Sequence, residues 1–472
     1  MADKITVGKG GWEDFDNIQD GIDYSSDGDI VEVKPGTYNE KINFYGKKIL
    51  VTSTDPNNPS STHISSYDDF VAIVRFDSGE GEESVLIGFM ISNTSSFGTA
   101  IYCYYSSPII TNIEIEDARN GIYGYNSSSY PKIINSYFHD DVLYAIQDCH
   151  GQISDCLFYN TRIDNCDGSI TNCIFRDGNG AYYCDGLIEN CIFYGCGIGH
   201  SNGSIINCTI THTDNGLDNC NGEIRNCIIA YNNDYGLWDC KGDIIYNNVW
   251  SNRFGSYGGG TIPSPTDIHL DPLFAGGEDY HLKSEAGRFD PNQTWIIDNV
   301  TSPCIDAGDP VDGVGDEPQP HGDRINIGAY GGTAQASKTP GTGLTFPGMV
   351  ENLSIQGEHK QISLVWDDPN YTGGLPITVY NIYRGTSSGG LVYYDEVGEG
   401  EMSFIDTDVQ NDTVYFYTVS AVSGFGEGPQ ITPVSKTASW LRSDLNGDGI
   451  VNLIDWFIFS SEWLFKSTWY IP

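Results

Sequence analysis

The sharpest chemical signal in the chain is the string Asp444-Leu445-Asn446-Gly447-Asp448-Gly449-Ile450-Val451-Asn452-Leu453-Ile454-Asp455. Asp444, Asn446 and Asp448 alternate so that three side-chain oxygens converge, and Gly449 permits the sharp turn that follows. Ile450 offers its carbonyl, Asn452 fills the ninth position and Asp455 closes the set from the twelfth. Hard oxygen donors in this order bind calcium. Calcium is therefore the expected cofactor, with Asp444, Asn446, Asp448, Ile450, Asn452 and Asp455 as ligands.

A second group of candidates recurs along the middle of the chain as dipeptides: Gln147-Asp148, Asp164-Asn165, Tyr182-Tyr183, Gly199-His200, Asp218-Asn219 and Trp238-Asp239. Glycoside hydrolysis needs two carboxyl groups about 5 Å apart for retention or about 6.5–9.5 Å apart for inversion. Asp218 with Asp239 is the best pair for that role. Tyr182, Tyr183, His200 and Trp238 set aromatic faces beside acids and amides, a mixture that suits sugar rings. Tyr102, Tyr104, Tyr105, Tyr123 and Tyr125 extend the strip toward the N-terminus. A lyase would need a base beside an acid cluster, and Arg162 and Arg176 with Asp140 and Asp177 are the only candidates, more simply read as solvated turn charges. The series His150, Asp167, Asp185, Asn202, Asn221, Lys241 reads as a hydrogen-bonded turn ladder, with calcium between Asp167 and Asp185 as the rival reading.

These residues are spaced by a repeat. Between about Pro131 and Gly259 the strings ISDCLF, ITNCIF, IENCIF, IINCTI and IRNCII recur, in units of roughly 17 to 21 residues. One column runs Cys156, Cys173, Cys191, Cys208, Cys227, each preceded by an acid or amide: Asp155, Asn172, Asn190, Asn207, Asn226. Asn112, Asn135 and Asn247 continue that pattern. A second column runs Cys149, Cys166, Cys184, Ser201, Cys220, Cys240, with glycine two residues later at 151, 168, 186, 203, 222 and 242. An unbroken glycine column implies positive φ or a close backbone approach in every unit. Units this short hold two or three strands and fit one coil of a β-solenoid.

Strands stacked about 4.8 Å apart place equivalent cysteines with nearly parallel Cα–Cβ bonds, a poor geometry for disulfides. The expectation is a core ladder of free thiols. Phe158, Phe175, Phe193, Ile210 and Ile229 should face inward as well, and Thr209 outward.

Composition agrees. A chain of 472 residues with 56 glycines and 18% charged residues suits a turn-rich, all-β protein in several parts. A net charge of -41 argues against nucleic acid as a partner. No stretch is apolar for long enough to span a bilayer, and Met1-Ala2-Asp3 does not open a signal peptide, so the chain is expected to be a mature fragment.

The opening, Gly28-Asp29-Ile30-Val31-Glu32-Val33 then Lys34-Pro35-Gly36-Thr37-Tyr38, preceded by an amphipathic helix with Phe15, Ile18 and Ile22, resembles the first coil of pectate-lyase-like β-helix proteins. The strings 302–309 and 326–332 resemble the closing segment of secreted members of that superfamily. The resemblance implies a right-handed parallel β-helix over residues 1–338. After a linker at 339–346, Trp366 and the series Tyr415, Tyr417, Val419, Ala421 resemble strands B and F of a fibronectin type III sandwich, with Tyr415 at the tyrosine corner, over 347–438. Residues 439–472 resemble one calcium loop of a dockerin. They depart from that family in having a single loop, and in an apolar helix bearing Trp456, Phe457, Phe459, Trp463 and Phe465 that must bury itself against the sandwich, in a partner or in another copy.

Two functions follow as expectations. One is an extracellular or cell-surface structural or adhesive protein, self-assembling and carbohydrate-associated, with a calcium-stabilised anchor. The other is a secreted polysaccharide lyase or glycoside hydrolase.

Overall fold

The structure, a computed structural model, describes residues 2–67, 71–95, 97–125, 128–140, 142–340, 346–438, 454 and 458. It divides into two units, Met1–Ile262 with Ile268–Pro340, and Pro263–Asp267 with Gly341–Pro472. The calcium-loop residues Asp444, Asn446, Asp448, Ile450, Asn452 and Asp455 lie outside the described residues, as does most of the apolar tail.

The first unit is the expected parallel β-solenoid. Three sheets run its length: one of 12 strands from Lys4–Val7 to Ile244–Ile245, one of 11 from Gly36–Asn39 to Asn248–Trp250, and one of 11 from Ile42–Asn43 to Gly255–Gly258. They are called here the first, second and third sheets. Each coil gives one short strand to each sheet, and every pairing between coils is parallel and in register, as in Ile153↔Ile170↔Ile188↔Ile205↔Ile224. A helix at Ile18–Tyr24 covers the N-terminal end, burying Ile18 and Ile22. Phe15 precedes that helix, half-buried against the core, and bridges to Val7.

The corners explain the repeat. Asn112, Asn135, Asp155, Asn172, Asn190, Asn207 and Asn226 all have φ between 46° and 56°, the left-handed region that asparagine and aspartate enter at least expense. The acid or amide before each cysteine is thus the residue that turns the chain. Asn247 departs from the expectation. In register it stands beside Cys227, accepting that residue's amide at 2.9 Å, and Tyr246 (φ 54°) makes the turn instead.

The cysteine columns are buried, free thiols. They also act as hydrogen-bonded rungs. Cys173 and Cys208 donate their amides to the sulfurs of Cys191 and Cys227 at 3.4 Å, and each of those sulfurs faces the carbonyl two residues back, Cys191 to Glu189 at 3.2 Å. Ser201 does the same for Cys184, with its hydroxyl 3.1 Å from the amide. A small side chain with an acceptor is what the position requires.

The glycine column serves close approach. None of these six glycines has positive φ, but a Cβ on Gly168, Gly203 or Gly242 would lie 1.8, 1.9 or 1.7 Å from the glycine carbonyl oxygen of the preceding coil. Between the columns Phe138, Phe158, Phe175 and Phe193 stack with centroids 5.1, 4.6 and 4.4 Å apart. Thr209 faces outward as expected, yet it is buried. Chain from about 268 to 337 folds back over the outer face of the second sheet, and the Ala329 amide donates to the Thr209 hydroxyl at 3.1 Å.

In the second unit, Glu351–Glu358, Gln361–Asp367 and Ser403–Asp406 form one antiparallel sheet, and Ile377–Gly385, Val392–Gly398, Val414–Ser423, Gly426–Glu427 and Val434–Thr437 form another. They share one core around Trp366, Tyr380, Tyr417 and Val419. The Gln410 amide donates to the Tyr415 hydroxyl at 3.2 Å. Ile454 and Ile458 are helical.

Candidate functional site

On the outer face of the third sheet, beside a column that includes Tyr144 and Arg162, register aligns a second: Arg75, Tyr102, Tyr123, Gln147, Asp164, Tyr182, Gly199, Asp218, Trp238, Gly258. Only the first member of each dipeptide stands on it. The second members, Asp148, Asn165, Tyr183, His200, Asn219 and Asp239, all have φ between 51° and 55° and make another corner. Tyr182 and Trp238 are therefore sheet residues, whereas Tyr183 and His200 stack on one another at the corner, 5.1 Å apart and 12° from parallel.

The strip gains its shape from two glycines. A Cβ on Gly199 would fall 2.5 Å from the Tyr182 ring, and one on Gly258 would fall 2.6 Å from the Trp238 ring. Each ring occupies the space of a missing side chain; Trp238 is 37% exposed and packs against Tyr235 at 4.9 Å, and Tyr182 is half-buried. Burial, followed by the nearby charge of Asp218, raises the Tyr182 phenol. It stays protonated and can donate. Upstream, Tyr102 stacks on Tyr123 at 6.0 Å and Tyr104 meets Tyr125 at 5.3 Å.

Asp218 is in register with Trp238, while Asp239 belongs to the corner and pairs with Lys241 at 3.0 Å. Asp164 and Asp218 share the column but stand three coils apart, about 14 Å, beyond the span of an inverting pair. Nor do the arginines gather. Arg162 packs over the Tyr144 ring and reaches its hydroxyl at 2.6 Å, and Arg176 pairs with Glu278. The turn series is a ladder: the Asp185 amide donates to Asp167 Oδ1 at 3.1 Å and the Asn202 amide to Asp185 Oδ1 at 2.8 Å.

Two features escaped the sequence. Among the described residues, one group gathers metal-ligating atoms, Glu116, His139 and Asp140, within 4.8 Å of one another. His139 is held there by Glu114 at 3.1 Å and Asp140 at 2.8 Å. The other is a cleft of about 580 Å³ where the chain around 278–293 and 330–335 crosses Ile174, Arg176, Ile192 and Tyr194 of the second sheet. No local signal announces a site whose two walls lie about a hundred residues apart in the chain.

The fold and the strip define an all-β, parallel β-solenoid protein with an outward aromatic face. Residues 109–308, within the solenoid, match the family described as disaggregatase related. No curated protein matches the chain. Among solved structures, domains A168–A170 of titin are 18% identical over 20% of this chain and 33% of that chain, with a TM-score of 0.19, so this chain spans about a third of that protein. An Fn3-like protein from Clostridium thermocellum is 23% identical over 21% of this chain and 97% of that one, with a TM-score of 0.17. A beta-1,2-glucanase from Parabacteroides distasonis is 18% identical over 23% of this chain and 16% of that one, with a TM-score of 0.18.

Proposed function

We propose that this chain is a secreted or cell-surface β-helix protein that binds a glycan along the outer face of its third sheet. The supporting observation is the pair of rings packed over glycines on one outward column, Tyr182 against Gly199 and Trp238 against Gly258. An aromatic ring is what the C–H surface of a sugar packs against, and Asp164, Gln147 and Asp218 stand beside the rings to meet hydroxyls. The disaggregatase-related match supports aggregated material as the setting. The remaining modules fit a display role, with a fibronectin type III-like spacer and a calcium loop at Asp444–Asp455 ordering an apolar tail for a protein partner or a second copy. No described helix is long and apolar enough to cross a membrane. Affinity electrophoresis of the full chain in gels containing neutral or acidic polysaccharides tests the reading: retardation by at least one polymer supports it, and migration unchanged in all of them contradicts it.

A further inference from the structure

We infer that the cleft between the second sheet and the closing segment is a separate saccharide site, which takes a neutral sugar residue independently of the third-sheet column. Its volume of about 580 Å³ lies in the range of small-molecule sites, about 300–1,000 Å³. The walls are aromatic, from Tyr194, Tyr280, Phe289 and Tyr330, with Arg176, Gln293 and Gln335 among them.

Two residues that line this cleft carry buried polar atoms without a partner, His281 Nε2 and the Tyr280 hydroxyl, on residues 4% and 6% exposed. His281 is fixed with care. Its ring stacks on Tyr330 at 3.6 Å and 11°, and its Nδ1 lies 2.6 Å from Asp279 Oδ1. Asp279 is held in turn by Arg288 at 3.2 Å, and Arg288 by Asp298 at 3.1 Å. A carboxylate only accepts, so Nδ1 donates to Asp279, and Nε2 is left without a partner. A buried polar atom without a partner destabilises a fold by about 1–3 kcal/mol. A chain of ion pairs that orients such an atom is explained if a ligand hydroxyl completes it.

The charges select the ligand. Glu278, Asp279 and Asp290 line the cleft against Arg176 alone, and Arg176 is already paired with Glu278. An anionic sugar would be repelled, whereas an uncharged ring with hydroxyl donors and an apolar face meets each feature of the walls.

Saturation-transfer NMR and calorimetry of the full chain with methyl glucoside, methyl galactoside, methyl mannoside and methyl glucuronide test this. At least one neutral glycoside should bind, the glucuronide should not, and Tyr194→Ala should weaken the neutral ligand about tenfold, equivalent to about 1.4 kcal/mol. His281→Asn keeps a donor for Asp279 but removes Nε2, and should do the same. Trp238→Ala should leave this binding unchanged. Absence of neutral binding, equal binding of the glucuronide, or affinity lost in Trp238→Ala and kept in Tyr194→Ala would each overturn the assignment. Failure here leaves polymer binding by the third sheet standing, and the reverse also holds.

Discussion

Asp218 stands in register with Trp238, not with Asp239. One acid thus shares the exposed column with the aromatic rings, and the other turns away into the corner with Lys241. Asp239→Asn should leave glycan affinity within about twofold of the wild type, because exposed ion pairs contribute about 0–1 kcal/mol. Asp218→Asn should weaken it several-fold. Isothermal titration of both variants against a retarding polysaccharide checks the contrast.

The glycine column makes the solenoid intolerant of a single methyl. A Cβ at position 203 would lie 1.9 Å from the Gly186 carbonyl oxygen, backbone that cannot move without parting two coils. Gly203→Ala should destabilise by about 3 kcal/mol or more. Thermal melts followed by circular dichroism should show an earlier transition, whereas Gly398→Ala, with open space around its Cβ, should melt as the wild type does.

The thiols should be silent. Burial pushes Cys184 and Cys304 up to about 12 and holds Cys149, Cys166 and Cys191 well above the ordinary thiol range. The thiolate is the reactive form, so neutral alkylating reagents should label almost nothing until the chain unfolds. Cys240 is the exception, lowered by its hydrogen bond with Cys220. It is as buried as the others, so it too should stay unlabelled until the chain unfolds, as read by mass spectrometry of partly labelled protein.

Glu317 makes stability depend on pH. Buried in the closing segment, its carboxyl is pushed up to about 7 from an ordinary 4.5, although the amides of Asn326 and Gly332 donate to it. The folded form then binds the proton more tightly than the unfolded form. Stability should be greatest below about pH 4.5 as far as this group is concerned, and should fall as pH rises from there to about 7. Glu317→Gln keeps an acceptor for both amides and removes the charge. Denaturant titrations at pH 5 and pH 7.5 should differ less for this variant than for the wild type.

Much of the solenoid was legible because each coil repeats one physical problem. A left-handed corner calls for Asn or Asp, an inward column for Phe or Ile, and a close contact for Gly, so spacing alone disclosed the columns. Register was harder to read. The shift of a single residue that puts Asn247 beside Cys227 depends on how neighbouring coils pair, and no local preference records it. The cleft was invisible for a related reason. Thr209 reads as an ordinary outward residue until chain about 120 residues downstream, at Ala329, covers it.

The role of the two rings is tested most directly by calorimetry of the Tyr182→Ala, Trp238→Ala double variant against the polysaccharide that retards the wild type. Losing both platforms should weaken binding at least about tenfold, with the melting curve unchanged, in line with aromatic contact energies of about 0.5–1.5 kcal/mol each. Undiminished affinity in a folded double variant would contradict glycan binding by the third sheet.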